Sequence, residues 1–499
     1  MMSFQDPPQR KLFYIGINLD KRIRKNHPLR KIKELIDFDF IYKEVKDKYG
    51  YNGNESIPPP VILKLMLLLV LYNVRSEREL METIEERLDW VWFLDFDLDT
   101  EIPDHSVLSK ARRRWGEEAF RNFYERVLWQ CVERGLVDGS KIFVDSSLIE
   151  ADASNNSVVD TQSLKRHLNE SYKELERRLR EQNEDKEEED DQDKRGGVNS
   201  RYISTTDPDA AIVRTSGKAK LRYQTHRAVD RAYEVITATE VTPGDVNEAH
   251  MMVGLIESHQ LNTETSVETV VADSKYGTIE NYLGCYDRGI RGHMPGLKEA
   301  QSRGGLRKGV FSEDRFIYDQ ETDSYRCPSG KRLRRKSLNR ESIIYAASRS
   351  DCSVCELMPQ CTKNKAGRTL KRHLRKEEVD YMRALAGTRI SKNDIRTRQH
   401  LMERSFARAK RYGFDRARWR GLWRVRIQEY LIAAIQNIQI LVKYETDPRI
   451  AVAVARMDKE FDRNITSLFD SVKRFLLDSF LLLESGVGSE IVLRNQLTD

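Results

Sequence analysis

Cysteine is scarce in this chain, at six of 499 residues. That is too few for a scaffold held together by disulfides, so we expect free thiols in a reducing cytoplasm, where a cysteine cluster suggests a metal site first. Long apolar runs are missing as well: the most apolar early stretch, 61–71, contains Lys64 and is well short of the about 20 residues that cross a bilayer. No basic segment followed by an apolar one opens the chain. These absences predict a cytoplasmic protein without a membrane partner.

A strong excess of either charge is also absent, because 85 Lys and Arg stand against 79 Asp and Glu, for a formal net charge of +6. Hydrophobic residues make up 39%, which is enough for buried cores and excludes wholesale disorder. The charges are unevenly spread. Basic residues dominate between 298 and 426, with Tyr412, Phe414, Trp419 and Trp423 among them, and an acidic block spans 181–193. Such a basic region is typical of a polyanion binder, although charge alone favours solvated helix faces.

The chain divides into parts by its hydrophobic pattern. Residues 1–137 have helical periodicity, and a helix that starts at Ser106 and carries Arg112 and Arg113 resembles the second member of a helix-turn-helix. Within 138–444, apolar runs at 141–149, 221–229, 235–241, 267–273 and 289–295 predict strands, with helices between the later ones. The segments 155–218 and 296–390 are insertions, the first helical and acidic, the second basic. The amphipathic tail 445–499 is expected to mediate self-association. The fold class is therefore α/β with a mixed sheet behind an all-helical N-terminal domain.

Three acidic residues stand where chemistry could use them. Asp145 and Asp273 come at the end of apolar strand patterns, and Glu403 lies on a helix predicted over 397–412. Lys410 follows Glu403 by seven residues, or roughly 700°, and so shares its helix face to within about 20°. A lone aspartate after a strand more often caps the next element. Together, however, three carboxylates can hold the two divalent ions, Mg²⁺ or Mn²⁺, that phosphodiester transfer uses.

Four of the six cysteines form a second constellation. Cys327, Cys352, Cys355 and Cys361 follow the spacing C-x24-C-x2-C-x5-C inside the basic insertion. Four thiols suit tetrahedral Zn²⁺, and one C-x2-C pair is a medium-strength signal for it; four unrelated thiols are the alternative. The sequence thus predicts a zinc site in the basic insertion.

The motifs around these residues resemble a known family. Phe-Val-Asp-Ser-Ser-Leu-Ile-Glu around Asp145, Val-Ala-Asp-Ser-Lys-Tyr-Gly around Asp273 and Met-Glu-Arg-Ser-Phe-Ala-Arg-Ala-Lys around Glu403 are similar to the Asp-Asp-Glu signature of bacterial insertion-sequence transposases. Segments 77–80, 92–95 and 102–106 resemble their InsH-like N-terminal domain, which binds DNA. Segments 206–210 and 420–428 resemble the insertion sequence 1182 type. The likeness extends over about residues 30–444.

The resemblance implies an RNase H-like catalytic core, with Asp145 on the first strand, Asp273 on the fourth and Glu403 on a helix reached after an insertion. It implies metal-dependent cleavage at the ends of a DNA element and transfer of those ends to target DNA, by a nucleoid-associated homo-oligomer. Lys410 matches a basic residue that lies near the element's end DNA, whereas the preceding Tyr and Arg of that signature are Arg396 and Gln399 here, next to Arg398. Residues expected to bind DNA are Lys410, Arg398, Arg404, Arg408, Arg112 and Arg113. A transposase-derived DNA-binding protein without catalysis, and an RNase H-like nuclease or resolvase, are the alternatives.

Overall fold

The computed structural model describes residues 2–4, 18–50, 55–160, 198–215, 217–296 and 310–444. The acidic block 181–193 and the C-terminal tail 445–499 lie outside these ranges. Within them, no helix is both long and apolar enough to cross a membrane.

The N-terminal region is helical, as predicted. Its α-helices are α1 (Leu19–Arg22), α2 (Pro28–Leu35), α3 (Ile41–Val45), α4 (Pro59–Leu71), α5 (Glu77–Glu86), α6 (Leu88–Phe93), α7 (Ser106–Trp115) and α8 (Glu118–Glu133). Helix α4 starts on a proline, whose fixed φ suits a first helical turn, and its apolar residues are buried all round. Ser76 caps α5, because its hydroxyl accepts a hydrogen bond from the Glu79 amide. Gly116, at φ +74°, ends α7.

A mixed six-stranded sheet follows. The strands from this part of the chain are β1 (Lys141–Glu150), β2 (Val158–Asp160), β3 (Tyr202–Ser204), β4 (Ala211–Arg214), β5 (Ala219–Asp230), β6 (Ile236–Pro243), β7 (Thr269–Val271) and β8 (Arg291–His293). The sheet order is β4-β5-β1-β7-β8, with β6 also paired to β5, while β2 and β3 form a separate ladder. Strand β1 is antiparallel to β5 and parallel to β7, and β7 is parallel to β8. The predicted mixed α/β architecture is confirmed.

Both faces of this sheet are covered. Between the strands lie the short helix α9 (Val198–Arg201) and, in the β6–β8 segment, α10 (Met252–Thr263) and α11 (Ile279–Asp287). Alternate residues of a strand point to opposite faces. Ile142 and Val144 of β1 accordingly join the core formed with α10 and α11, whereas Phe143 joins the large core that also includes the N-terminal helices. Asp145 shares the face of Phe143.

The basic insertion contains a sheet of its own, which the sequence did not predict. Its antiparallel strands are β9 (Ile317–Asp319), β10 (Ser324–Arg326), β11 (Arg332–Asn339), β12 (Ser342–Ala347) and β13 (Thr369–His373), with the short helices α12 (Arg349–Ser353) and α13 (Met358–Cys361) between the last two strands. Phe316, Tyr325, Leu333, Tyr345 and Leu370 form its small core. Strand β11 exposes most of its charged residues, so a hydrophobic alternation was hard to see.

Three helices complete the described chain: α14 (Lys376–Ala386), α15 (Arg389–Lys410) and α16 (Leu422–Tyr444). The prediction of a helix over 397–412 was wrong at its start. The helix begins eight residues earlier because Thr388 caps it, its hydroxyl accepting from the Ser391 amide 3.2 Å away. Helix α15 crosses β1, β7 and β8, and α16 packs on α8 and β6.

Candidate active site

The structure brings Asp145 and Asp273 together. Strands β1 and β7 are parallel, with Phe143 opposite Val271, so the positions two residues further along, Asp145 and Asp273, are level with each other. Asp273 follows the end of β7 and caps the 3₁₀ turn Ser274–Tyr276, its carboxylate accepting from the Lys275 amide at 2.8 Å. Asp145 lies in the middle of β1 and Asp273 lies two residues after the end of β7, so the two acidic residues are neighbours on adjacent parallel segments.

Asp145 is held in a partly buried, charged environment. Its Oδ2 pairs with Nη1 of Arg398 at 2.6 Å, and its Oδ1 accepts from the Ser146 amide at 2.9 Å. Burial is the main cause that raises the pKa of Asp145, to about 6; Arg398 opposes this effect, and the charges of Asp273 and Glu248 add to it. Because burial disfavours the ionised form of Asp145, a further cation nearby would stabilise its carboxylate.

Glu248, which the sequence analysis did not select, is the third acidic residue at this place. It is buried, and its carboxylate accepts from the Ser146 hydroxyl and, at 3.3 Å, from the Gln224 side-chain amide. Its other oxygen pairs with Nζ of Lys275 at 2.6 Å. Glu248 begins the 3₁₀ turn Glu248–Met251, which leads into α10. The helix dipole is the ordinary explanation of an acidic residue in a first helical turn, so the sequence alone gives no reason to select Glu248. Only its three-dimensional contacts do.

Glu403 is not brought to the aspartates. Its side chain is exposed, and the described contact of its carboxylate is with the amide of Gln399 at 3.2 Å. Arg398 and Glu403 are five residues apart on α15, about 500° of rotation, so they point some 140° away from each other. The face of α15 on the sheet is instead anchored by Asp394, which pairs with Lys141 and with Nδ1 of His293, both at 2.8 Å.

The six basic residues expected to bind DNA lie in different environments. Arg398 is buried against Asp145, and Arg112 is buried against Glu77 and Trp419, so neither presents its charge at the surface. Arg404 and Arg408 both pair with Glu234 but keep half or nearly half of their side chains exposed. Lys410 is exposed and pairs with Asp415 at 3.3 Å, and Arg113 is exposed.

The four cysteines of the insertion line a single small cavity of about 30 Å³. Burial raises the pKa of Cys361, Arg368 opposes this effect, and the other three thiols add to it, so each of the three lies near Cys361. Two tight turns present them. The Gly330 amide donates to the Cys327 carbonyl at 2.8 Å, with Gly330 at φ +79°, and the Cys355 amide donates to the Cys352 carbonyl at 3.2 Å. The remaining Cys131 and Cys285 are buried in the cores, as expected.

Neither constellation is already arranged as a metal centre. Across the described ranges, no three His, Cys, Asp or Glu side chains stand in an arrangement that could hold an ion. At the aspartate pair, Arg398 and Lys275 supply the positive charge instead. The donor chemistry nevertheless fits: carboxylate oxygens are hard ligands, and Mg²⁺ keeps several waters and is bound through one or two carboxylates.

The described structure combines a pair of carboxylates on a mixed sheet with a helical N-terminal region and a basic insertion. Two family models match the chain. The model described as "Transposase domain (DUF772)" matches residues 17–114, which contain α1–α7, and the model described as "Transposase DDE domain" matches residues 326–442. Two separate regions of the chain are therefore similar to transposase domains, and the predicted resemblance to insertion-sequence transposases of the DDE type is confirmed. The finer likeness to the insertion sequence 1182 type stays a prediction.

Other comparisons add little. No curated protein matches the chain. Among solved structures, the piggyBac transposase in its synaptic complex with hairpin DNA is similar at 9% identity and a TM-score of 0.32, over 85% of this chain and 75% of that one. A likeness this low carries no argument about the site.

Proposed function

We propose that this protein is a DNA transposase that binds the terminal inverted repeats of an insertion sequence, cleaves the strands at its ends and joins them to target DNA. The observation that carries the proposal is the pair Asp145 and Asp273, level with each other on the adjacent parallel strand segments β1 and β7, in a chain whose residues 326–442 match a transposase DDE domain. The two divalent ions of this chemistry, Mg²⁺ or Mn²⁺, supply an activated attacking oxygen and a stabilised leaving oxygen.

The catalytic core, in this proposal, is RNase H-like. If β2–β4 are counted with the insertion 155–218, the main sheet consists of β1, β5, β6, β7 and β8. The first three of these strands follow one another antiparallel, and the last two add parallel to the first. Asp145 then lies on the first strand and Asp273 lies two residues after the fourth, and this arrangement supports the proposal.

The residues of the chain would share the work as follows. Asp145 and Asp273 would hold the ions, and Arg398 orients the Asp145 carboxylate by the 2.6 Å pair. Glu403 enters as a third carboxylate on the family resemblance alone, since in this structure it faces away from the pair. Duplex DNA would be bound by exposed basic residues, Arg113, Arg404, Arg408 and Lys410 among them, and a homo-oligomer would bring two ends together.

Strand cleavage tests this proposal. The substrate is labelled duplex DNA with the sequences that flank the gene, incubated with the full chain and Mg²⁺. We expect specific nicking at the repeat ends that is lost in Asp273→Asn and Asp145→Asn and kept in Glu257→Gln, an exposed glutamate on α10. Specific binding without nicking by the unaltered protein would favour a DNA-binding protein without catalysis. Nicking without preference for the flanking sequences would favour a nuclease.

We also propose that the four cysteines bind Zn²⁺, and that this ion joins α12 and α13 to the sheet β9–β13. Their common cavity and the two tight turns support this, because four cysteines that line one cavity supply the ligand types and number of a structural zinc site. Cys355→Ser is expected to lower the zinc content from about one ion per chain to near zero, as measured by atomic absorption on the purified protein. Cys131→Ser, at a buried cysteine in the helical region, is the matched control and should leave the zinc content unchanged; unchanged zinc in Cys355→Ser would contradict the proposal.

A further inference from the structure

Glu248 connects the two aspartate-bearing segments. Its carboxylate accepts from the hydroxyl of Ser146, the residue after Asp145, and pairs at 2.6 Å with Lys275, two residues after Asp273. The side chain of Glu248 is only 7% exposed, whereas that of Lys275 is 66% exposed. The buried carboxylate of Glu248 is therefore neutralised by the ammonium group of Lys275. Because Lys275 is largely exposed, its side chain has room to move into solvent.

A second observation at this place points to an absent ligand. Tyr276 is fully buried, and its hydroxyl lies near the Ser146 hydroxyl without forming a well-aligned hydrogen bond. The charged groups that act on this hydroxyl are Glu248, Asp145 and Asp273. Buried hydroxyls are nearly always hydrogen-bonded in proteins, so a hydroxyl with no well-aligned partner, close enough to three carboxylates to feel their charges, is a position where water would bind.

We propose that Glu248 is a ligand of the divalent cation that Asp145 and Asp273 hold, and that Lys275 covers this position until the cation binds. The inference rests on the proposed function, since it adds a residue to the same site. In the chain without DNA, the three carboxylates of the site are then those of Asp145, Asp273 and Glu248. Glu403, on the outer face of α15, is not one of them.

Binding of Mn²⁺ to the full chain without DNA, followed by electron paramagnetic resonance, tests the inference independently of catalysis. Mn²⁺ accepts the same oxygen ligands as Mg²⁺. Glu248→Gln is expected to weaken Mn²⁺ binding by at least about tenfold, the loss typical when a residue is removed from a metal site. Glu248→Asp, which keeps the carboxylate, should retain part of the affinity. Glu257→Gln, which removes an exposed glutamate paired with Arg288, should leave the affinity unchanged.

Lys275→Met separates a ligand from a residue that merely ties two segments together, because it breaks the same ion pair from the other side. If Glu248 is a ligand, Lys275→Met binds Mn²⁺ at least as tightly as the unaltered chain, since a competing cation is gone. A loss in Lys275→Met equal to that in Glu248→Gln overturns the ligand role. Thermal unfolding without Mn²⁺ confirms that each variant is folded.

Variants of the two aspartates distinguish a failure of the inference about Glu248 from a failure of the proposed ion site. If Asp145→Asn and Asp273→Asn weaken Mn²⁺ binding but Glu248→Gln does not, the inference about Glu248 fails and the proposed ion site stands. If neither aspartate variant changes Mn²⁺ binding, the ion site of the proposed function fails, and the inference with it.

Discussion

At the scale of single residues, the strongest constraint on the sheet beneath the site is the buried pair of Arg227 and Glu429. Arg227 lies opposite Asp145 in the β1–β5 register, and its guanidinium contacts the Glu429 carboxylate at 2.6 and 3.0 Å. Gln436 accepts a further hydrogen bond from Arg227, and Thr239 donates one to Glu429. Both charged side chains are almost wholly buried, so each depends on the other for neutralisation.

Arg227→Met is expected to lower the free energy of unfolding by about 3–5 kcal/mol, because it leaves the Glu429 charge buried without a partner. Urea unfolding followed by tryptophan fluorescence measures the loss. The double variant Arg227→Met with Glu429→Met should lose clearly less than Arg227→Met alone, since no uncompensated charge remains. Equal losses in the single and double variants would show that packing, not charge, holds this contact.

At the scale of residues, the sequence predicts some members of the candidate site and not others. Asp145 and Asp273 were predictable because each follows an apolar run whose strand identity is clear, and parallel neighbours align their ends. Glu248 was not, since a glutamate in a first helical turn has an ordinary explanation and its partners Ser146 and Lys275 are distant in sequence. The orientation of Glu403 depends on the rotation of α15, which is set by Asp394 and Arg398 contacts that no local pattern reveals.

At the scale of elements, β1 depends on the turn that precedes it. Gly139 adopts φ +76°, its amide donates to Asp230 at 2.9 Å, and a Cβ at this position would lie 2.0 Å from the Thr265 hydroxyl oxygen. Gly116 has nearly the same φ, +74°, but open space around it. The two glycines therefore share the backbone requirement and differ in the space around them.

Gly139→Ala is expected to destabilise the protein more than Gly116→Ala. The positive φ alone costs an alanine about 1–3 kcal/mol at either position, and the overlap with Thr265 adds to this only at Gly139. Thermal unfolding midpoints of the two variants test this. Gly139→Ala with Thr265→Gly should recover part of the difference; equal midpoints for the two single variants would mean that the turn rearranges without cost.

Elements were predictable where one periodicity dominates, as in β1, β5 and the α4 helix. The sheet β9–β13 was missed because a small sheet with a five-residue core exposes most of its charged side chains, so alternation is masked by Lys and Arg. The early start of α15 was missed because Thr388 is a weak signal until its hydrogen bond to Ser391 is seen.

At the scale of the whole molecule, two buried histidines link stability to pH. Burial lowers the pKa of both His226 and His259, from 6.5 to about 4. His259 is held neutral between Thr237 at 2.7 Å and the Gly139 carbonyl at 3.2 Å. Because the unfolded chain binds these protons more readily, the stability they contribute is fully present above pH 6.5 and is lost as the pH falls towards 4.

By pH 4 the free energy of unfolding should have fallen by about 3 kcal/mol for each histidine. This follows from the difference of about 2.5 between the unfolded and folded pKa values, at about 1.36 kcal/mol per unit. Thermal unfolding midpoints should therefore stay nearly constant from pH 7.5 to about 6.5 and decrease as the pH falls further to 5. His226→Gln with His259→Gln is expected to be less stable at pH 7.5 and to show a flatter pH dependence across this window. A pH dependence as steep in that variant as in the unaltered chain would assign the acid sensitivity to other groups.

The distribution of charge over the molecule makes a last prediction, about DNA. Arg404 and Arg408 share one carboxylate, Glu234, so this pair of arginines keeps a net positive charge at the surface. The slope of log affinity against log salt is negative, and each phosphate contact that is lost reduces its magnitude by about 0.9. Arg404→Gln with Arg408→Gln should therefore weaken binding to a duplex of the flanking repeats and flatten its salt dependence, as measured by fluorescence anisotropy between 50 and 200 mM salt. Glu234→Gln, which releases both arginines, should have the opposite effect. An unchanged slope in both variants would place the DNA on another face of the molecule.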